Sequence, residues 1–460
     1  MKAAVIGSPI SHSLSPAIFA FISQDQGRAL EYQAIEVKSD DHKKFLQDII
    51  KSKGLVGLNI TLPLKELFVN CSDKLSEAAK TIGAMNVLQI KDGLIYGHNT
   101  DAIGIEKTFQ KAGYDVKGKV CLLWGAGGSA KAASFVLGKL KAETVYIYNR
   151  GNRGQDLAEH FSSHYPETTF NFINNLDLIK NESLDLMINS TPLGMQGHES
   201  GEEYFSKCKN LKFSQNALAF DLIYVPETTD FLKAASHCGL ATVGGMGMLI
   251  DQALASWEIW FGSVTNEEQL HVRLKSFLTG ILKLRFKSSP VYLAGFMGVG
   301  KSTVGRKLAE LTRREFVDTD KVIEESINLS IAQIFSTKGE AEFRNLETTA
   351  IEQVSKTSNS IISLGGGSLN QELNRKFILS TGILVYLDAD VKTLGQRIHD
   401  QGSNRPILEG LKGEEQIKKI SSLLNERSPN YGKAHLKVNT VGVSAEQVSF
   451  DIISKIGELT

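Results

Sequence analysis

Val291-Tyr-Leu-Ala-Gly295-Phe-Met-Gly298-Val299-Gly300-Lys301-Ser302-Thr303 decides the fold of the carboxyl-terminal part of the chain. The stretch fits the P-loop pattern in full. An apolar strand-like run, Val291 to Ala294, precedes the glycines, and a helix-like run, Val304 to Leu311, follows them. Glycine lets the backbone turn its amides inward around anionic oxygens, Lys301 adds a mobile positive charge, and the Ser302 hydroxyl suits a magnesium ion. A nucleotide-binding α/β domain follows from that order of strand, turn and helix.

A second glycine turn, Gly125-Ala126-Gly127-Gly128-Ser129, stands between a strand-like run, Lys119 to Trp124, and a helical one, Ser129 to Leu140. Small residues occupy the positions where that helix must approach a sheet, as in a Rossmann unit. The next strand-like run, Thr144 to Tyr148, ends in Asn149-Arg150-Gly-Asn-Arg153. NAD-binding folds place an acidic residue there to hold the ribose 2′-OH. Two arginines instead suit a 2′-phosphate, so the cofactor reading is NADP over NAD. Two phosphate cradles of different kinds imply two nucleotide-dependent reactions.

The 460 residues exceed one ordinary core, and three units is the natural count at about 100 to 200 residues each. Lysine plus arginine and aspartate plus glutamate both total 51, so the formal charge is zero and nothing suggests a nucleic-acid partner. Cys71, Cys121, Cys208 and Cys238 form no CxxC pair, which argues against zinc or a disulfide framework. No signal-peptide core and no membrane-length apolar run occur, so a cytoplasmic location is expected.

From Met1 to about Asp101, strand-like runs (Ala3 to Ile6, Tyr32 to Val37, Gly57 to Ile60, Val87 to Lys91) alternate with helical ones, which predicts a largely parallel α/β unit. The Rossmann-like block follows over 102–245, and the apolar helical segment Met246 to Phe261 is expected to pack back onto the first unit. Residues 266–288 read as a helix and linker whose basic run (Arg273, Lys275, Lys283, Arg285, Lys287) forms a solvated face, and 289–460 as the P-loop domain. Short polar segments border the strands of the first unit: SHSLSP at 11–16, NITLPLK at 59–65, GAMN at 83–86 and GHNTD at 97–101. Their hydroxyls, amides, ammonium and carboxylate make up the set that holds a polyhydroxylated acid.

These segments, with WGAGGSAKA at 124–132, NSTPLGM at 189–195, DLIYVPETTDFL at 221–232 and GMGMLIDQA at 245–253, resemble shikimate dehydrogenase over residues 1 to 265. The resemblance implies NADPH-dependent reduction of 3-dehydroshikimate to shikimate. It implies Lys65 and Asp101 as the catalytic pair and Ser13, Ser15, Asn59, Thr61, Asn86, Tyr224 and Gln252 around the substrate. For the dinucleotide it implies Gly125, Ala126, Gly127, Gly128, Ser129, Asn149, Arg150 and Arg153, together with Glu77, Thr191, Leu222, Gly245 and Met248. The substrate domain, 1–101, is then completed by helix 246–265. Val87 stands where the family commonly has threonine, and Arg153 sits one place earlier than the family's second arginine.

The P-loop is followed by Asp318-Thr-Asp320, GEAEFRNLE at 339–347, the glycines Gly365, Gly366 and Gly367, and Arg397, Arg405 and Arg427. This series resembles shikimate kinase over about residues 289 to 458. That resemblance implies Asp320 at the acceptor hydroxyl and Arg344, Gly365, Gly366, Gly367 and Arg427 around shikimate, with Glu347 bracing Arg344. It also implies Gly298, Val299, Gly300, Lys301, Ser302, Thr303, Arg397 and a lid residue, Arg405, around ATP, and Ser302 and Asp318 at magnesium. Asn328 replaces the family's usual glycine, and asparagine tolerates the left-handed region. The chain as a whole reads as a fusion of the two enzymes. The alternatives are a quinate/shikimate dehydrogenase of broader range joined to a kinase, and a non-catalytic ligand-sensing regulator.

Overall fold

The strand-like runs of the first hundred residues pair into one sheet. In chain order the elements are β1 (Lys2–Gly7), α1 (Ser15–Asp25), β2 (Glu31–Glu36), α2 (His42–Ile49), β3 (Leu55–Ile60), β4 (Lys74–Leu75), α3 (Glu77–Ile82), β5 (Val87–Lys91) and β6 (Leu94–His98). The strand order is β2-β1-β3-β5-β6-β4. The expected parallel pairing holds for β2, β1 and β3, but β5 runs antiparallel to both β3 and β6, so the sheet is mixed. The cause is the Asp92-Gly93 turn, with φ of 52° and 77°, a mirror-image turn whose twist matches a tight hairpin. An Asp-Gly pair between alternating apolar residues was its sequence signal.

The second sheet is wholly parallel. Its elements are α4 (Thr100–Lys111), β7 (Val120–Trp124), α5 (Gly128–Lys139), β8 (Thr144–Tyr148), α6 (Arg153–His164), β9 (Thr169–Ile173), β10 (Ser183–Asn189), α7 (Glu203–Cys208), β11 (Lys212–Asp221), α8 (Asp230–His237) and β12 (Ala241–Val243). In the order β12-β11-β10-β7-β8-β9 the chain leaves β7 in one direction and returns on its other side at β10. That reversal opens a crevice at the carboxyl ends of β7 and β10. Asp221, Asn189, Trp124 and Tyr148 form one register row there, so Leu222, Ser190, Gly125 and Asn149 emerge together.

Helix α9 (Met246–Phe261) returns to the first sheet, where Trp260 Nε1 donates to the Leu88 carbonyl at 3.1 Å and Gln89 donates to the Ile259 carbonyl. Helix α10 (Glu267–Phe286) follows. Its basic run is more than a solvated face: Arg273 pairs with Asp25, and Lys283 donates to the Gly457 and Leu459 carbonyls.

The remaining elements are β13 (Val291–Ala294), α11 (Lys301–Thr312), β14 (Glu315–Asp318), α12 (Thr319–Ile327), α13 (Ile331–Thr337), α14 (Gly339–Ser355), β15 (Ser360–Ser363), α15 (Glu372–Thr381), β16 (Ile383–Asp388), α16 (Val391–Asp400), α17 (Gly413–Tyr431), β17 (Leu436–Asn439) and α18 (Ala445–Glu458). Their sheet is parallel in the order β14-β15-β13-β16-β17, with the P-loop strand at its centre. Asn328 ends α12 in the left-handed region at φ 53°.

The computed structural model describes residues 1–49, 54–356, 359–400, 408, 411 and 413–459, and the chain divides into two units, Met1–Lys275 and Ser276–Thr460. The boundary falls inside α10. All four cysteines are free thiols, and no helix among the described residues is long and apolar enough to cross a membrane.

Close backbone approach makes one glycine of the first sheet irreplaceable. A Cβ on Gly57 would lie 2.2 Å from both the Leu88 carbonyl oxygen and Trp260 Nε1. Gly57→Ala must therefore push α9 off the sheet, with an expected loss of about 2 to 3 kcal/mol, read as a lower denaturant midpoint of the intact chain.

Candidate functional site

In the first unit, one continuous run of hydrogen bonds links residues from five elements, the loop after β3 and the residue before β5. Lys65 Nζ lies 2.5 Å from Asp101 Oδ2, and Asn86 Nδ2 donates to Asp101 Oδ1 at 2.9 Å and to the Thr100 hydroxyl at 3.0 Å. The Thr100 and Ser256 hydroxyls are 3.4 Å apart, Asn59 Nδ2 donates to Ser256 Oγ at 3.1 Å, and the Tyr32 hydroxyl donates to Asn59 Oδ1 at 2.7 Å. The Tyr32 hydroxyl in turn meets the Ser15 side chain. Buried polar groups must find partners or lose about 1 to 3 kcal/mol each, and this run satisfies them in series.

Local folding explains how the run is assembled. Asn86 enters β5 with its carbonyl accepting from Ile60 N–H and its own N–H donating to His98, which fixes it between β3 and β6. The Asn99 side chain caps α4 by accepting from Ala102 N–H, so Thr100 and Asp101 open that helix facing Asn86. Gln252 reaches the same place from α9, with Oε1 3.4 Å from Asn86 Nδ2. Ser13 Oγ accepts from Ser15 N–H at the start of α1, and Thr61 lies beside Gly7. Tyr32, Thr100 and Ser256 escaped the sequence reading. Thr100 lay inside the GHNTD segment, and Ser256 is four residues beyond Gln252 on one helix face.

The second glycine turn opens into a cleft of about 420 Å³ that gathers Gly125, Ala126, Gly127, Asn149, Arg150 and Thr191. Gly125 has φ 106°, and a Cβ there would lie 2.6 Å from Ser190 Oγ. Gly127 precedes α5 with no side-chain cap, while Cβ positions on Gly127 and Gly128 meet only open space. The first amides of α5, at Gly128 and Ser129, therefore have the arrangement that receives a pyrophosphate.

Other expected dinucleotide residues stand outside that cleft. Arg153 begins α6 without lining it. Glu77 lines a separate cleft with Lys139 and Tyr165, and Met248 is buried against Gly104 of α4. Gly245 lines another cleft of about 620 Å³ beyond β12, together with Tyr224, which was expected at the substrate. Gly245 approaches Leu222 so closely that a Cβ would lie 2.3 Å from the Leu222 carbonyl oxygen.

In the second unit, Gly298 and Gly300 have φ of 79° and 104°, the conformation that turns P-loop amides inward. Lys301 Nζ donates to the Gly295 carbonyl at 2.9 Å. Ser302 Oγ, in the first turn of α11, donates to Asp318 Oδ2 at 2.8 Å, and Asp318 also caps α12 through Asp320 N–H. A hydroxyl and a carboxylate so placed fit magnesium, which binds through one or two protein groups plus phosphates. Among the described residues no larger group of His, Cys, Asp or Glu forms a metal cage. Thr303 follows on α11.

Arg397 differs from the expected nucleotide contact. Its guanidinium donates to the Val299 carbonyl at 3.1 Å and the Thr440 carbonyl at 2.6 Å, so it braces the P-loop against the end of β17. A cleft of about 170 Å³ brings Lys301, Asp320, Arg344, Gly365, Gly366, Gly367 and Arg427 together. Fully buried Glu347 accepts from Arg344 at 2.9 Å and from Ser368 at 2.6 Å, and the Gly366 carbonyl accepts from Arg427 and Tyr431. Gly365 and Gly367 leave no room for a Cβ beside Asp320 and Arg344. Arg405 lies outside the described residues.

Two family models match the chain: the shikimate dehydrogenase substrate binding domain over residues 5–88 and shikimate kinase over residues 297–457. A shikimate dehydrogenase (NADP(+)) from Brucella ovis is 36% identical over 268 residues, covering 57% of this chain and 89% of that protein. A Listeria monocytogenes shikimate 5-dehydrogenase, solved in complex with shikimate and NAD, superposes with a TM-score of 0.54 at 27% identity, covering 58% of this chain and 94% of that one. The Thermus thermophilus enzyme, solved in complex with NADP(H) and shikimate, gives a TM-score of 0.51 at 29% identity, covering 59% and 97%.

At the end of β11 a buried carboxylate separates folded from unfolded titration. Burial pushes the Asp221 carboxyl up to about 6 from its usual 3.8, against the pull of hydrogen bonds from Thr229, Ile223 and Asn189. A raised carboxyl pKa means that the folded state binds the proton more tightly. Asp221 therefore costs stability above pH 6, and that cost fades as pH falls through 6 towards 3.8. Asp221→Asn removes this dependence. Chemical denaturation should show wild type gaining about 1 to 2 kcal/mol on the variant between about pH 8 and about pH 5.

Proposed function

The chain belongs to the shikimate dehydrogenase family and carries a shikimate kinase domain behind it, and on that premise we propose that it reduces 3-dehydroshikimate and then phosphorylates the shikimate formed. It is a bifunctional shikimate-pathway enzyme that uses NADP(H) in its first half and ATP in its second. Bound NADPH supplies the hydride and bound ATP the phosphoryl group. What the residues of this chain contribute follows from their geometry.

Reduction of a ketone builds negative charge on its oxygen, so a proton donor is needed beside it. Lys65 fills that role: its ammonium stabilises the oxyanion and passes a proton from Nζ to oxygen. Asp101, 2.5 Å away, holds the ammonium in place, and Asn86 holds Asp101 by its other oxygen. The side chains of Lys65 and Asp101 are 16% and 11% exposed, which limits competing water. That clamped pair carries the reading. Ser13 and Ser15 take the substrate carboxylate, while Asn59, Thr61, Asn86, Tyr224 and Gln252 take its hydroxyls. Arg150, on the wall of the glycine cleft, takes the 2′-phosphate. Leu222 and Gly245 serve the nicotinamide side.

In the second half positioning and charge do the chemistry. Asp320 accepts the hydrogen bond of the attacking hydroxyl and orients it. Arg344 and Arg427 hold the acid, and Glu347 keeps Arg344 fixed by an ion pair whose carboxylate is wholly buried. Lys301 offsets charge on the transferring group, and Ser302 and Asp318 hold magnesium.

A coupled assay tests the proposal: 3-dehydroshikimate, NADPH, ATP and magnesium, with NADPH loss followed optically and shikimate 3-phosphate by mass spectrometry. Lys65→Ala should slow reduction by about a hundredfold or more and leave phosphorylation of added shikimate intact. Lys301→Ala should do the reverse. Quinate turnover comparable to shikimate would favour the broader dehydrogenase, and loss of both turnovers with shikimate binding retained would favour a sensor. In the same assay Arg150→Ala should raise the KM for NADPH about tenfold and leave that for NADH unchanged.

A further inference from the structure

Four side chains without a role so far form one buried cluster where β10 and β11 end: Asn189, Tyr204, Asp221 and Thr229, each fully excluded from solvent. Asp221 Oδ1 accepts from Asn189 Nδ2 and from Ile223 N–H, both at 3.0 Å, and Oδ2 accepts from the Thr229 hydroxyl at 2.5 Å. Asn189 passes the connection on. Its Oδ1 accepts from Thr191 N–H at 3.0 Å, from the Thr191 hydroxyl at 2.8 Å and from the Tyr204 hydroxyl at 3.0 Å.

One arm of this cluster ends at the cleft of the glycine turn and the other at the turn beside the cleft that Tyr224 and Gly245 line. One arm fixes Thr191, which lines the cleft of the glycine turn. The other fixes the backbone at Ile223, whose carbonyl accepts from Gly245 N–H at 3.1 Å, between Leu222 and Tyr224. A buried carboxylate is costly to desolvate, and apolar packing of the same volume would serve stability at least as well. Its return is geometric, because two strand ends are locked to one group. We infer that Asp221 is a positioning residue for the reduction step, setting the distance between the Thr191 wall and the Leu222–Gly245 turn. This inference rests on the reading of Thr191, Leu222, Tyr224 and Gly245 as cofactor and substrate contacts.

The test uses the intact chain, with kinase turnover on the same samples reporting active protein. KM values for NADPH and 3-dehydroshikimate are measured separately, and NADPH binding is titrated by fluorescence. Asp221→Ala frees both arms and should raise both KM values about tenfold, whereas Asn189→Ala frees only the Thr191 arm and should raise that for NADPH alone. Asp221→Asn should stay within about twofold of wild type, since its carbonyl keeps both N–H donors and its amide donates to Thr229. A folded Asp221→Ala that lowers kcat and leaves both KM values unchanged overturns the inference. So does an Asn189→Ala that moves both KM values, and this second variant decides the matter if Asp221→Ala does not fold. Leu222→Ala separates the premise: if Asp221→Ala has no effect while Leu222→Ala weakens NADPH binding, the clamp fails and the site reading stands. If neither moves NADPH binding, both fail.

Discussion

Backbone amides meet a phosphate only where no side chain stands between them, and both halves of this chain are organised around that requirement. At Gly125 and Gly295 a Cβ would lie 2.6 Å from Ser190 Oγ and from the Leu387 carbonyl oxygen respectively. Each turn is therefore pressed against a neighbouring strand end. Parallel sheets create such places because every strand points its carboxyl end in one direction and every following helix begins there. In the second half Lys301 and Ser302 follow the turn directly, and Ser302 meets Asp318.

Charge is handled differently in the two halves, for reasons that follow from the chemistry. On the proposed function reduction makes one oxyanion and needs one proton, and the first half presents the Lys65 ammonium held by the Asp101 carboxylate, which the Asn86 amide holds in turn. Phosphoryl transfer spreads charge over several oxygens and also needs the acid held still, and on the proposed function the cleft lined by Lys301, Arg344 and Arg427 answers both needs, Lys301 the first and the two arginines the second. In both, an anion that touches the cation is itself fixed from behind. Asn86 holds Asp101, and Ser368 holds Glu347. Such backing keeps a charged pair from relaxing into a geometry useless for catalysis.

The buried run from Lys65 to Tyr32 also explains why α9 belongs to the first sheet despite lying some 150 residues beyond it in the sequence. Ser256 supplies the hydroxyl that lets the Asn59 amide be buried, and Gln252 supplies an acceptor near Asn86. Removing α9 would leave several amide and hydroxyl groups without partners as well as uncovering apolar surface. On the proposed function, substrate groups and fold draw on the same side chains.

Local chemistry in the chain was enough to locate both glycine turns, the strands beside them and the polar segments, while the left-handed Asn328 followed from the resemblance to a family with glycine there. The turns, strands and segments each depend on residues within a few positions of one another, where backbone sterics and periodicity act directly. It also held the Asp92-Gly93 hairpin signal that makes the first sheet mixed. Long-range pairing settled what such signals leave open. Glu77 and Met248 stand apart from the glycine cleft because α3 and α9 pack elsewhere in the first unit, and Arg397 is spent on backbone carbonyls because β17 ends beside the P-loop. Asp221, an unremarkable acid in an apolar strand, becomes a hub only when β10 lies beside β11 in register and brings Asn189 opposite it. Distances across a sheet are set by which strands are neighbours, and that choice belongs to the packing of the whole unit.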